Sequence, residues 1–200
     1  MLQTTISKKG ARTEPFDRAA LEEAALVERV AGEDGAAFEL LYRGYYPRLR
    51  RFVERMTRHP QIVEEVLNDT MLVVWRKART YNLRSKVSTW IFGIAYRRAL
   101  KALARFDEPV EFDASECPDL AAPGPEGALV ACEARAGLAR ALRALSPDHR
   151  AVIELTYFEG CSCAEIAEVM HCPVNTVKTR MFHARRRLRT LLAENTDDRR

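Results

Sequence analysis

The chain has 200 residues, 47% of them hydrophobic and 30% charged, which suits one or two globular domains and excludes an unstructured polyelectrolyte. No run approaches the ~18 consecutive apolar residues of a membrane span. Met1 to Arg18 lacks the apolar core of a secretory signal, and the five cysteines are odd in number and irregularly spaced. The expectation is therefore a cytoplasmic protein without membrane insertion and without a disulfide framework. The formal net charge is only +4, but its distribution is uneven. Base gathers in 48–58, 76–105 and 178–189, and acid in 107–126, the layout of a polyanion-binding surface interrupted by an acidic linker.

Residues 1–18, with Lys8, Lys9 and Arg12, read as a polar tail. Helical signals then follow in order. From Ala19 to Val30, Leu21, Ala25, Leu26 and Val30 form an apolar edge, and Gly32 to Gly35 is a turn. From Ala36 to Met56, Phe38, Leu41, Tyr42, Tyr45, Leu49, Phe52, Val53 and Met56 keep helical spacing past Pro47, a bend candidate. His59-Pro60 breaks the pattern. It resumes from Ile62 to Arg79, pauses over 80–86, and returns from Val87 to Arg105 with Trp90, Ile91, Ile94, Ala95 and Leu100. These helices predict a compact bundle over 19–105. From Phe106 to Gly127, Pro109, Pro118, Pro123, Pro125, Gly124 and Gly127 forbid a long helix, so 106–127 reads as a flexible acidic linker. The two halves it joins are expected to move relative to each other. Helical pattern returns over 128–192, and 193–200 is a polar tail.

The sharpest signal lies in that second half. Ser146-Pro147-Asp148 is a helix start: cap, proline in the first turn, and an acid at the positive end of the dipole, with Val152, Ile153 and Leu155 as the buried face. Ser162 with Glu165 three residues on is a capping box before Ile166, Ala167, Val169 and Met170. After His171-Cys172-Pro173, with Asn175 as the predicted N-cap, a helix runs to Leu192. Val177, Met181, Ala184, Leu188 and Leu191 form one apolar stripe. Lys178, Thr179, Phe182, His183, Arg185, Arg186 and Arg189 fall off it. A helix-turn-helix whose second helix buries one face and offers a cationic, hydrogen-bonding face predicts DNA binding.

In this order the two halves resemble the extracytoplasmic-function (ECF, group IV) RNA polymerase sigma factors of the sigma-70 family. The resemblance rests on Phe38-Glu39-Leu40-Leu41-Tyr42, on residues 63–70 followed by Trp75, and on residues 88–95 in the first half. In the second half it rests on residues 145–150, 165–168 and 172–180. It implies an all-α protein of two small domains, a region 2 bundle at 19–105 and a region 4 helix-turn-helix at 128–192. The implied function is a bacterial sigma factor that binds core RNA polymerase and directs initiation at particular promoters. By position, Glu64, Glu65, Asn68 and Asp69 match the surface that docks on the clamp helices of the largest polymerase subunit. Trp90, Phe92, Tyr96, Arg97, Arg98 and Lys101 match the helix that reads and opens the −10 element. Strand opening needs aromatic surface for an extruded base and cations for the single strand. Trp90 shares a stripe with Ile94, which favours the core for its ring. Lys178, Thr179, Phe182 and His183 match positions facing the −35 element, Arg180, Arg185 and Arg186 fall at phosphate-contacting positions, and Asn175 and Thr176 open the same helix. Core polymerase (clamp helices and flap) and promoter DNA are the implied partners, and the layout permits an anti-sigma factor. Three departures stand out: Asn68 where the family usually has Gln, Arg97 where it often has Asn, and Asn175 where Gly is usual.

Two rival readings use other residues. A conventional helix-turn-helix regulator would act without polymerase, and would have no need of the helix from Glu64 to Trp75. A metal or redox sensor would use Cys161, Cys163, His171 and Cys172. A helix from Ser162 to Met170 is about 13 Å long at ~1.5 Å per residue, too far for one tetrahedral ion. No cofactor is expected. There is no Gly-rich phosphate loop, nucleophile elbow or carboxylate–histidine metal pattern, so an enzyme is not expected either.

Overall fold

The computed structural model describes residues 15–57, 59–105 and 136–197. Every regular element among them is helical, as the sequence predicts. The linker expected at 106–127 lies outside the described residues.

Helix α1 (Pro15–Ala31) starts four residues before the periodic pattern and buries Val27 and Val30. Leu21, expected on the apolar edge, is exposed. Asp34 stops the turn and starts α2 (Gly35–Met56): its carboxylate accepts from the Ala36 and Ala37 amides at 2.9 and 3.0 Å. The α2 helix continues through Pro47 and buries Ala37, Leu41, Tyr45, Leu49, Phe52, Val53 and Met56. Pro60 sits in the first turn of α3 (Pro60–Lys77), where its missing N–H costs nothing, and a 3-10 turn, Ala78–Thr80, follows. Helix α4 (Val87–Leu103) is the central element. Its middle, residues 91–96, is buried all round, as expected for a helix apolar on every face.

The second half is a helix described over 136–143, which we number α5, then α6 (Pro147–Tyr157), α7 (Cys163–Met170) and α8 (Val174–Asp197). Ser146 caps α6, and the capping box of Ser162 and Glu165 starts α7. His171 ends α7 in the left-handed region at φ 49°, and the Cys172 amide donates back to the Ala167 carbonyl at 3.0 Å. Helix α8 begins one residue before the expected cap. The Pro173 carbonyl accepts from the Thr176 and Val177 amides, and Asn175 is already inside the first turn.

The halves were expected to be mobile relative to each other, but they share one continuous core, with α7 packed on α4 and α6 packed on α2. The physical reason is the surface of α4, which is too apolar to leave one face in water. The helices come close at Gly93, where a Cβ would sit in ordinary van der Waals contact, 3.7 Å from the backbone of Val169 on α7. Around this apolar contact lies a polar rim. Arg48 pairs with Glu159 at 2.8 Å, Arg55 with Glu154 at 2.6 Å, and Lys86 with Glu165 at 2.7 Å.

Candidate nucleic-acid and polymerase interface

On α8 the apolar stripe turns inward. Val177, Met181 and Ala184 are buried, and Leu188 and Leu191 are half-buried. Lys178, Thr179, Phe182, His183, Arg185 and Arg186 are all exposed on the other faces, and Phe182 keeps 63% of its surface. Phe182 thus stands among cations on the exposed side of the helix, edge-on to His183 with ring centres 5.4 Å apart. The Thr179 hydroxyl donates to the Asn175 carbonyl at 3.0 Å. The Arg185 guanidinium lies 5.6 Å from the Tyr157 ring centre, and the His183 ring lies 6.4 Å from that of His149. Asn175 is exposed and Thr176 half-buried at the start of the helix. Arg180 differs from its neighbours: it turns back and pairs with Asp148 at 2.5 Å.

Along α4 the candidate residues separate into two groups. Trp90 is half-buried against Tyr81 (ring centres 5.2 Å apart) and lines a groove between α3 and α4 together with Ile94, Arg97, Arg98, Lys101 and Lys77. This groove combines one aromatic face with four cations, the mixture that holds a single strand. The other two aromatics are not on a free surface. Phe92 is fully buried, edge-on to Phe52 at 5.3 Å and under the Arg48 guanidinium, so the expectation that it offers a stacking surface is corrected: it is core. Tyr96 is 4% exposed and donates its phenol hydrogen to Asp148 on α6 at 2.6 Å. Burial first, and then this hydrogen bond, push the phenol far above its ordinary pKa, so it remains a donor. Arg97 is exposed, with Nη1 2.5 Å from Nε2 of His171.

On α3, Glu64, Glu65 and Asn68 are exposed and Asp69 is half-buried, while Val63, Val66, Leu67 and Met71 point inward. The acids are not idle. Asp69 accepts from Arg98 at 3.3 Å, Glu65 pairs with Arg105, and Glu64 accepts weakly from the Tyr46 hydroxyl. The polymerase-docking candidates and the strand-holding candidates thus meet along one seam, where α3 faces α4.

Arg150 and Glu154, which sequence reasoning did not single out, and Asp148, read there only as a helix-start acid, link the halves. Arg150 is 6% exposed, and its guanidinium donates to five carbonyls: Leu142 and Arg143 in the last turn of α5 and Leu145 just beyond it, and Arg55 and Met56 at the end of α2. Both groups are carbonyls that a helix end leaves without intrahelical partners, at the negative end of its dipole. Glu154 is 1% exposed, and its burial raises its carboxyl pKa against the lowering effect of Arg55. Asp148 joins Tyr96 to Arg180. The signal available in the sequence was the presence of charges inside the apolar run of α6, beside Ala151, Val152, Ile153 and Leu155.

The sensor residues stay apart. Among the described residues no three His, Cys, Asp or Glu side chains converge as a metal site. The Cys161 thiol is pushed up to about 11, chiefly by burial, which suppresses the reactive thiolate.

Both halves of the chain match known proteins. The family model for Sigma-70 region 2 matches residues 41–109, and the model for Sigma-70, region 4 matches residues 135–188. The ECF RNA polymerase sigma-E factor of Escherichia coli K12 is 31% identical over 82% of this chain and 91% of its own length. The RNA polymerase sigma-H factor of Pseudomonas aeruginosa is 31% identical over 80% of this chain and 88% of its own. Among solved structures, the sigma factor RpoE of Bartonella quintana, in complex with the anti-sigma factor NepR, superposes with a TM-score of 0.62. It covers 78% of this chain and 96% of its own, at 22% identity. The chain belongs to the ECF group of sigma-70 family sigma factors. That family consists of transcription-initiation factors rather than enzymes. Among the described residues no helix is long and apolar enough to cross a membrane.

Proposed function

We propose that the three surfaces divide the work of promoter-specific initiation. The exposed α3 face, Glu64, Glu65, Asn68 and Asp69, docks on core RNA polymerase. The groove of α4, with Trp90, Arg97, Arg98 and Lys101 and with Tyr96 beside it, captures the opened strand at the −10 element. On α8, Lys178, Thr179, Phe182 and His183 read the −35 element in the major groove, with Asn175 and Thr176 at its entry, and Arg180, Arg185 and Arg186 meet phosphates. The functional halves are 19–105 and 128–192. The protein works in the cytoplasm, catalyses no reaction of its own, and has an anti-sigma factor as a further partner, as the Bartonella relative does.

The observation that carries this reading is α8. It is the second helix of a capped pair, apolar stripe buried, with cations and one bare aromatic ring facing outward. The experiment is co-elution with purified core polymerase. Glu65→Lys with Asp69→Lys should abolish it while helicity is kept, since like-charge juxtaposition at a docking surface costs several kcal/mol. A double variant that still co-elutes removes α3 from the polymerase interface. A wild-type chain that never co-elutes leaves the rival regulator without polymerase.

A further inference from the structure

The chain has four histidines, and two of them meet beside the base-reading face of α8. His149 comes from the first turn of α6 and His183 from α8, with ring centres 6.4 Å apart and planes inclined by 37°. His183 is exposed one helical turn beyond Thr179, and the Phe182 ring stands edge-on to it. His149 is half-buried, so α6 brings a side chain to a surface that otherwise belongs to α8. Imidazole is the side chain that gains and loses charge between pH 5 and 8, whereas lysine and arginine stay charged throughout. DNA phosphates also stay ionised over that range. We propose that His149 is a DNA contact supplied by α6, and that with His183 it makes reading of the −35 element proton-linked, each imidazole taking a proton from solvent as DNA acceptors approach.

The inference rests on the assignment of α8 to the −35 element and adds a second helix and a proton to it. The groups that face the pair set the sign. On α6, Asp148 neighbours His149, but its oxygens are taken up by Tyr96 of α4 and Arg180 of α8. On α8, Arg186 and Arg187 lie one turn on from His183. Burial first and His183 second hold the His149 imidazole below its ordinary 6.5, with Asp148 opposing them and Arg180 adding to them. In the free chain the cluster therefore resists a further positive charge. A phosphate against it reverses that balance. An imidazolium offers two N–H donors where the neutral ring offers one, and a bond between ionised partners is the stronger kind. The DNA complex then holds more protons than its separated parts, so affinity rises as pH falls through the imidazole range. It levels off where the rings are charged in both states.

The test uses holoenzyme, assembled from core polymerase and the full chain, titrated onto a promoter fragment that supports run-off transcription. Affinity is measured at pH 6, 7 and 8 at one ionic strength. Wild type should bind about three- to tenfold more tightly at pH 6 than at pH 8. His149→Gln and His183→Gln should each flatten that dependence, and the double variant should leave only what the polymerase itself brings. His59→Gln, between α2 and α3, should keep the wild-type slope. His183→Lys carries a fixed charge, so it should lose its share of the slope by gaining affinity at pH 8. His183→Gln should lose the same share by losing affinity at pH 6. The proposal is overturned if the double variant keeps the wild-type slope, or if only the His183 variants flatten it, which would leave His149 off the DNA surface. Failure of the underlying sigma-factor reading would show separately and at every pH, as a wild-type chain that supports no promoter-dependent transcript with core polymerase.

Discussion

Arg150 of α6 donates to the Met56 carbonyl at the end of α2 at 3.0 Å, across 94 positions of the chain. Its five N–H groups are matched to five carbonyls, so the guanidinium finishes the ends of two helices from different halves. An ammonium has three donors and no fork. Arg150→Lys should therefore strand buried carbonyls and cost about 2–4 kcal/mol of stability. Urea unfolding checks this, and a loss under about 0.5 kcal/mol, the range of an ordinary surface change, would mean that water replaces the clamp.

The two buried aromatics of α4 should separate stability from function. Phe92→Ala should lower stability by about 3–5 kcal/mol, as loss of a core ring does. Tyr96→Phe keeps the ring and removes only the hydrogen bond to Asp148, so it should cost about 1 kcal/mol or less. Thermal melts of the two variants decide, and equal losses would place both side chains in the core alone.

Most helix limits were legible from local chemistry. Ser146 and Ser162 cap as their neighbours suggest, and the stripe on α8 follows from spacing alone. What stayed hidden was non-local. Nothing near Arg150 says that the end of α2 will be its ligand. Phe92 and Tyr96, on a helix apolar all round, read equally well as a surface for bases or as core. Asn175 looked like a cap because Asn is a good one, but the chain leaves His171 in the left-handed region and starts α8 one residue sooner. The joining of the halves depends on which surfaces meet in space, and a pattern along the chain does not carry that.

Acid should loosen the rim at Glu165 in a predictable direction. Burial alone would raise its pKa, but the Lys86 ammonium and the hydrogen bonds of Ser162 hold it below the ordinary 4.5. A carboxyl depressed in the folded state stabilises fully above its unfolded value and loses that contribution as pH falls through the folded one. The stability difference between wild type and Glu165→Gln should therefore be constant above pH 4.5 and shrink below it. Gln keeps the capping box, so the difference isolates the charge. Urea midpoints across pH 3–6 check the sign, and a difference that grew on acidification would contradict it.

On DNA, α8 should divide its labour along its length. Lys178 lies in the first turns, where major-groove readers touch base edges, and Arg186 lies further along. Lys178→Ala should cost ~1–3 kcal/mol on the preferred −35 sequence and little on a scrambled one. Arg186→Ala should weaken both alike and reduce the salt slope by about one unit. Holoenzyme binding to both DNAs at two salt concentrations checks this. Equal losses from both variants on both DNAs would reduce the helix to an electrostatic anchor.

The central claim is that this chain gives core polymerase a promoter preference it lacks. Run-off transcription with purified core polymerase on a library of genomic fragments measures that directly. The account predicts discrete transcripts that appear only when the chain is added, start downstream of a shared pair of elements, and vanish with Glu65→Lys plus Asp69→Lys. Transcripts that are unchanged by adding the chain, or that start without a shared pair of elements, would contradict it.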